Sequence, residues 1–597
     1  MRYSIENGEF QKFYNVDFYD GKQHYYSEDL DDTYDIMDKL FKKYNKVTFI
    51  SHNMRKFDLR VLHLLPVLFN KQFLGQRMKK AMVDKVFYLK YESKDHYKVI
   101  QFVDSLNLFK TKLEDLAEMF GMKKEDVKEY KLSAEEWNKQ LLLTGKSRVQ
   151  KDTEILYRVI EEFLKIKYFN PSLTIASTSF NTFKRDFLKY DITFPKKYLD
   201  IAISTYHGGT VMPYQLIENQ EATMLDINSL YPFVMKKNPS SIRFRTIRED
   251  KKYLFDDIKN KTYNYMALVR YNANEILHSP VYTYYDNQLI PFLSGYQWIT
   301  GNELLALYEN NFTLGIEKIL EFENDYIFTN FVDFFYSHRM KAKNAFEKYF
   351  YKIILNSLYG KFAQHKGYSE IMKISEIDNP MIKEILEQSE QSKEIINGQT
   401  YSIYEDFVSV MKEGKAKYNP LIASEITANA RLVNYQYSQM IGWDNLFYTD
   451  TDSFLTNKHF PLLLGNELGQ LKEEKKGLFT VNAPKDYQYY GICINKKECE
   501  ICNGKDEGMH YVIKGVNDFS MIEENMYINK KWSGIKYKTN NDIYIEYALQ
   551  SLKRNNKKMK YDNKIGKEWE SIKEYNQYYG INDNSYILSV LNLHLDK

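Results

Sequence analysis

The chain has 597 residues, 44% of them hydrophobic, and carries 83 basic and 80 acidic side chains for a net charge of +3. That length is too great for one core, so several domains are expected, and the charge balance excludes a uniformly basic protein and leaves any basic surface local. Three cysteines exclude a disulfide framework and favour a reducing compartment; no run is apolar enough to span a membrane, and MRYSIENGEF lacks the apolar centre of a targeting peptide.

Residues 1–110 read as short strands and one helix. FYNVDFYDG is a strand running into an Asp-Gly turn, and 32–44 has helical spacing with Ile36, Met37, Leu40 and Phe41 on one face. VTFISHNMRKFDLRVLHLL reads as a buried strand followed by a helix, with Asn53 and Asp58 at the junction. An acid there either caps the helix or ligates a metal at an open edge. VIQFVDSLNLF is another strand, with Asp104 near its end; 111–121 and 152–168 are helical, and Asp152 begins the second of these. Strands followed by helices, with acids at strand ends, fit an α/β unit of nuclease type without singling it out.

In STYHGGTVMPYQ, Tyr206 and His207 precede the pair Gly208 and Gly209, which either forms a plain loop or lets the backbone approach a ligand or another segment. MLDINSLYPFVM is a buried strand ending at Asp226, then a turn closed by Pro232 with Tyr231 before it. From 330 to 364 the pattern is helical and basic (Arg339, Lys341, Lys343, Lys348), leading into KIILNSLYGKFAQ, where Lys352, Asn356 and Tyr359 share a helical face. Such a face is either solvated or suited to a triphosphate and a base. Residues 366–418 are polar and irregular, and a helix resumes from Ile422.

The run YTDTDS, 448–453, lies between the apolar residues Leu446 and Phe447 and the pair Phe454 and Leu455, so it reads as strand, turn, strand with Asp450 and Asp452 at the turn. Alternation would set both acids on one face. Two like charges so close repel unless a cation lies between them; the alternative is a polar hairpin tip. APKDYQYYG sets Lys485 and Tyr487 on a strand, and VIKGV sets Lys514 on another. The last stretch, from about 517, reads as mixed helix and loop; its basic run at Lys553, Arg554, Lys557, Lys558 and Lys560 is either a solvated face or a phosphate contact.

Three acids on two strand-turn elements, with a basic helix between them in sequence, suit two-metal nucleotidyl transfer, in which magnesium ions activate a hydroxyl and stabilise a leaving pyrophosphate. The same motifs resemble the family B DNA polymerases. DINSLYP (226–232) and YTDTDS resemble the two palm motifs, and KIILNSLYG (352–360) the fingers motif. YHGG (206–209) and KDY (485–487) are similar to the linker and primer-gripping motifs of the protein-primed branch found in phages and linear plasmids. A composition rich in Lys, Asn, Tyr and Ile, as an AT-rich genome produces, agrees with such an element.

The resemblance implies an α/β and α+β multidomain fold: an RNase H-like 3′–5′ exonuclease domain (1–185), then a right-hand polymerase. Its palm begins in 186–335 with the linker and a first insertion. Fingers (336–365), a second insertion (366–420), the second palm segment (421–515) and the thumb (516–597) follow. Asp226, Asp450 and Asp452 would be the catalytic metal ligands for two Mg²⁺ ions, with Mn²⁺ as an alternative. Tyr231 would exclude a 2′-hydroxyl, while Arg339, Lys352, Asn356 and Tyr359 would hold the incoming dNTP. Tyr206, Gly208, Gly209, Thr449, Lys485, Tyr487 and Lys514 would contact the DNA primer-template. A priming terminal protein is an implied partner, and the implied location is the cytoplasm of a host cell, or an organelle for a plasmid-borne copy, not secreted.

The N-terminal motifs depart from the family pattern. Glu6, in Ser4-Ile5-Glu6, is the best candidate for the first exonuclease motif, which should read Asp-x-Glu. Asn53 and Asp58 form the second motif with one extra residue between them, Asp152 supplies the third, and Arg148 stands where that motif's tyrosine is expected. Proofreading is therefore expected to be weak or absent. Rival readings are a DNA-binding 3′–5′ nuclease with a polymerase-like half, and a reverse transcriptase or RNA polymerase. Cys493, Cys499 and Cys502, with His510 nearby, offer a zinc knuckle, but a single CxxC with irregular partners favours buried or incidental thiols.

Overall fold

A computed structural model describes residues 2–553 apart from 7–8, 55–57, 59–71, 74–75, 83–87, 123–133, 167, 170, 275–277, 286–287, 365, 390–392, 397–398, 405–406, 415–418, 460–463, 495–498, 500–501, 503–505, 514–521, 524–525 and 540–541. Lys514, Arg554, Lys557, Lys558 and Lys560 lie outside the described residues.

In the N-terminal third, Lys46–Ser51 runs parallel to Val99–Asp104, which pairs with Tyr88–Glu92 in a five-stranded sheet. The long helix Ala134–Lys165 packs against the strand Glu9–Tyr19. It contains no proline, and Ile155, Val159 and Phe163 repeat at helical spacing as its buried stripe. Asp152 is thus in the middle of a helix rather than at its start, because the helical run extends back through Gly145 to Ala134.

The central element is a seven-stranded antiparallel sheet. Its order is Gly508–Ile513, Asp486–Cys493, Leu471–Ala483, Ile217–Ile227, Ser453–Thr456, Leu446–Asp450 and Val211–Pro213. The helix Pro420–Ile441 is buried on every face from Pro420 to Arg431, and Asn434 beyond that stretch is buried too. A four-stranded sheet, in the order Ser240–Arg248, Thr313–Asp325, Asn264–Asn272 and Ser294–Thr300, fills the stretch expected to hold the first insertion.

Three sequence expectations change. The basic segment from 330 is two helices, Thr329–Met340 and Ala345–Ser357, because the Asn344 side chain accepts from Glu347 N and starts a new helix after a four-residue break. Residues 366–418 are not irregular: Lys366–Lys373, Phe407–Gly414, Gln399–Tyr404 and Lys393–Ile396 form a sheet. With the helix Pro380–Gln388 it encloses its own small core of Ile374, Leu386, Tyr401 and Val408. Polar residues interleaved through KGYSEIMK and FVSVMKEG hid the alternation of those strands in sequence. The stretch beyond 517, expected as mixed helix and loop, contains the long hairpin Met526–Thr539 and Asp542–Lys553, which pairs with the strand Glu9–Tyr19.

One core joins the N-terminal third to the rest. Phe163 packs edge-on against Phe350, ring centroids 5.2 Å apart, and Phe109 lies 5.8 Å from Phe346. The helix Ala345–Ser357 is therefore anchored by aromatic contacts on one side, with Lys352 and Asn356 exposed on the other.

Candidate active site

Asp226 ends the central strand and pairs with Ser453, whose own partner on the next strand is Asp450. Asp452 lies in the turn between the strands, where Thr451 adopts a left-handed backbone (φ +62°). A hydrogen bond from Ile227 N to Asp452 O, 2.7 Å, ties that turn to the end of the Asp226 strand. Strand alternation therefore does not align Asp450 with Asp452; the turn does.

Burial pushes the Asp452 carboxyl up to about 7, and the neighbouring Asp226 and Asp450 add to the shift. Asp226 is also raised, by burial and by Glu474, while Lys472 and Lys352 oppose the rise. Lys472 Nζ lies 2.9 Å from Asp226 Oδ2 and 3.0 Å from Glu474. Lys485 Nζ lies 2.8 Å from Asp450 Oδ2. A cluster of half-buried acids, held protonated or lysine-paired, fits divalent cations: oxygen donors converge, and a positive charge would remove the repulsion that raises Asp452. Lys472 and Glu474 were not singled out in the sequence, where they lie inside the charge run LKEEKK.

The turn is held from behind. Thr451 N donates to Thr210 O, and Asn434 Nδ2 donates to Thr449 Oγ1 (3.0 Å) and Thr451 O (3.1 Å). A Cβ on Gly209 would come within 2.5 to 3.0 Å of the Thr451 side chain, so this glycine is required for close approach. Arg431 donates to His207 O and Gly208 O and pairs with Glu303 at 2.8 Å, a buried ion pair that fixes the YHGG segment. Arg431 too went unread, because its partners are about 130 and 220 residues away in sequence.

Beside the acids, the Tyr231 and Tyr359 rings stack at 4.4 Å. Tyr359 lies in a 3-10 turn after the helix ends at Ser357, not on the helix itself. Arg339 Nη1 donates to Ser229 Oγ from the preceding helix. Tyr206 is half-buried, and electrostatically close to Tyr359.

Two primer-side expectations are corrected. Thr449 is fully buried and its hydroxyl donates to Ser453 O, so its side chain supports the turn rather than facing DNA. Lys485 is in the turn before the strand (φ +57°), not on it; its backbone N donates to Tyr448 OH. Tyr487 is buried beneath it, accepting from Lys475 Nζ at 2.7 Å.

In the N-terminal third, a cavity of ≈ 870 Å³ is lined by Asp17, Asn53, Asp58 and Asp152. The acid gathered there is Asp17, from the strand Glu9–Tyr19; Glu6 belongs to the neighbouring strand Arg2–Glu6, its side chain outside the described residues. Asp17 was missed because Tyr19 stands where the motif's glutamate belongs. Asp17 Oδ2 accepts from Thr153 and faces His24 Nδ1 at 2.8 Å. Burial lowers the His24 pKa, but Asp17 and Glu154 outweigh it and raise the ring above its ordinary value. Asp17 Oδ1 and Asp152 Oδ1 are buried without a hydrogen-bond partner, and Asp58 is raised by burial. These oxygens suit a cation, and with Glu114 on the same wall the cavity gathers four carboxylates, as many as the palm cluster with Glu474.

Residues 123–441 match the family model of type B DNA polymerases, organellar and viral. A probable DNA polymerase of Podospora anserina is 24% identical across 83% of this chain and 50% of its own length. The DNA-directed DNA polymerase of Enterobacteria phage PRD1 is 30% identical across 37% and 38% respectively. The chain spans about half the length, or less, of the curated relatives it matches. Phi29 DNA polymerase in its orthorhombic crystal form superposes with a TM-score of 0.66 at 16% identity, over 92% of this chain and 98% of that one. The ternary complex of phi29 polymerase gives 0.64 at 17%, over 89% and 95%. The fold is thus an exonuclease-type domain followed by a right-hand polymerase, like that of phi29 DNA polymerase, and the chain belongs to the organellar and viral type B DNA polymerases.

Proposed function

We propose that the chain is a DNA-directed DNA polymerase that extends a 3′-hydroxyl, or a protein-linked primer, with dNTPs. The observation that supports this most is the meeting of Asp226, near the end of its strand, with Asp452 in the turn tied to that strand, beside the Tyr231–Tyr359 stack. Asp226 and Asp452, with Asp450 alongside, would hold two Mg²⁺ ions, which would supply an activated hydroxyl and charge neutralisation of the leaving pyrophosphate. Lys352, exposed on its helix, and Arg339 counter the triphosphate charge. Tyr231, fixed by its stack, offers a flat wall against a ribose 2′-hydroxyl. Lys485 leaves Asp450 to meet the primer end, or bridges the two.

The phi29 ternary complex contains primer-template DNA and incoming nucleotides, and the same partners are proposed here. Residues 1–185 would be the exonuclease domain, 336–365 the fingers and 516–597 the thumb, with 236–330 and 366–418 containing the two insertions. A priming protein and strand displacement follow from the protein-primed reading, as does work inside a host cell or organelle on a mobile element. The 3′–5′ exonuclease would be weak or absent: Asp17, Asp58 and Asp152 line one cavity, but the His24 ring is set against Asp17.

Primer extension on a DNA template with dNTPs and with NTPs tests the reading. Incorporation of dNTPs alone, with NTPs entering once Tyr231→Ala is made, supports it. Extension with NTPs by the unaltered chain, or none on any primed DNA, refutes it.

A further inference from the structure

The hairpin at the edge of the central sheet carries a second cluster that the polymerase reading leaves unused. Cys493 ends the strand Asp486–Cys493, and His510 lies on its partner Gly508–Ile513, opposite Tyr489. The connection between them returns Cys499 and Cys502 to the same spot. One ligand atom from each of the four comes within 4.8 Å of all the others, and all four residues are buried. Cys493 Sγ and Cys499 Sγ are 3.8 Å apart, and His510 Nδ1 is 4.0 Å from Cys493 Sγ. A tetrahedral ion with metal–sulfur bonds of about 2.3 Å sets its sulfurs roughly 3.8 Å apart. The sequence favoured incidental thiols because Cys493 and His510 flank the CxxC at unequal distances; the antiparallel register cancels that irregularity.

We infer that Cys493, Cys499, Cys502 and His510 form a structural zinc site. Three thiols lose their protons to solvent on binding and the imidazole binds neutral, leaving one net negative charge. The surroundings suit that charge: the Tyr489 hydroxyl lies 2.9 Å from Cys493 Sγ, and Cys493 N donates to Cys502 Sγ. The Tyr489 ring lies flat on His510, centroids 4.4 Å apart, and fixes its plane. All four protein ligands are used and buried, so no open position remains for a reacting water, and the role is structural.

The position gives that role a purpose. Cys493, Cys499 and Cys502 share a core with Phe447, Tyr448, Leu455 and Tyr487. Tyr448 precedes the acidic turn and holds Lys485 N, and Lys475, the register partner of Cys493, donates to Tyr487. A metal clip there stiffens the floor beneath Lys485 and Asp450.

The test uses the full chain. Metal analysis of protein grown with zinc is expected to give about one zinc per chain, lost in Cys502→Ser. Removing the metal with a chelator lowers the melting temperature, read with magnesium restored, and reloading with Co²⁺ produces the visible bands of tetrahedral thiolate coordination. The cobalt reading uses unaltered protein and stands even where Cys502→Ser fails to fold. Zinc below about one tenth per chain together with no cobalt bands overturns the site, as does a Cys493–Cys499 disulfide in freshly purified protein.

Discussion

The palm cluster and the N-terminal cavity are both built from aspartates on strands and adjoining turns or helices, yet they differ in charge. In the palm, Asp226, Asp450 and Asp452 stand together with Glu474, and the lysines that meet them, Lys472 and Lys485, are half-exposed and long enough to swing away. Beside the cavity, Tyr19 stacks on His24 at 4.4 Å, and the His24 ring is set against Asp17. A site for two divalent cations depends on surplus negative charge. The palm regains that surplus when its lysines withdraw, whereas His24 stays set against Asp17 in the cavity, so the two activities should separate.

The largest effect that would break this contrast is at Asp226. Asp226→Asn should lower nucleotide incorporation about 10³-fold or more while leaving degradation of a single-stranded 3′ end unchanged; equal loss of both activities would mean that the two sites are not independent. Restoring charge to the cavity comes next. Tyr19→Glu should raise 3′–5′ degradation of a mismatched end by roughly 10- to 100-fold, and adding Asp17→Asn should cancel the gain. No gain from Tyr19→Glu would show that something other than charge limits the cavity.

Gly209→Ala sharpens the palm side. The added methyl meets Thr451, and a small displacement of the turn should reduce kcat/KM for dNTPs about tenfold with little loss of stability. Unchanged kinetics would mean that the turn yields freely. The smallest effect is on stability against pH without divalent ions. Asp452 ionises at about 7 when folded and at 3.8 ordinarily, so between those values the folded chain holds a proton that the unfolded chain has released. Melting temperature should therefore fall as pH rises from about 4 to 7, and magnesium or Asp452→Asn should flatten the slope. A slope of the opposite sign would place the raised pKa elsewhere.

Much of the palm was legible because its chemistry lies in short runs: DINSLYP and YTDTDS carry the acids and the tight turn in a few residues each. What supports them was not. Arg431, Asn434 and Lys472 reach their partners across distant segments, and nothing in a local pattern ties Arg431 to Glu303. Thr449 was expected at the primer-template from the resemblance, but the strand turns its side chain inward. Asp17 was hidden because Asp17-Phe18-Tyr19 does not read Asp-x-Glu, and the fold recovers it by bringing Asp58 and Asp152 to the same cavity. The sheet in 366–418 escaped notice because its strands are short and half polar, so their alternation is weak over each run.

The most direct test of the central claim compares Asp452→Asn and Asp17→Asn proteins, each folded to the same melting temperature, on one primed DNA template with magnesium and dNTPs. The account predicts that Asp452→Asn no longer extends the primer and that Asp17→Asn extends it at the unaltered rate. Extension by Asp452→Asn at a rate near that of the unaltered chain would contradict it.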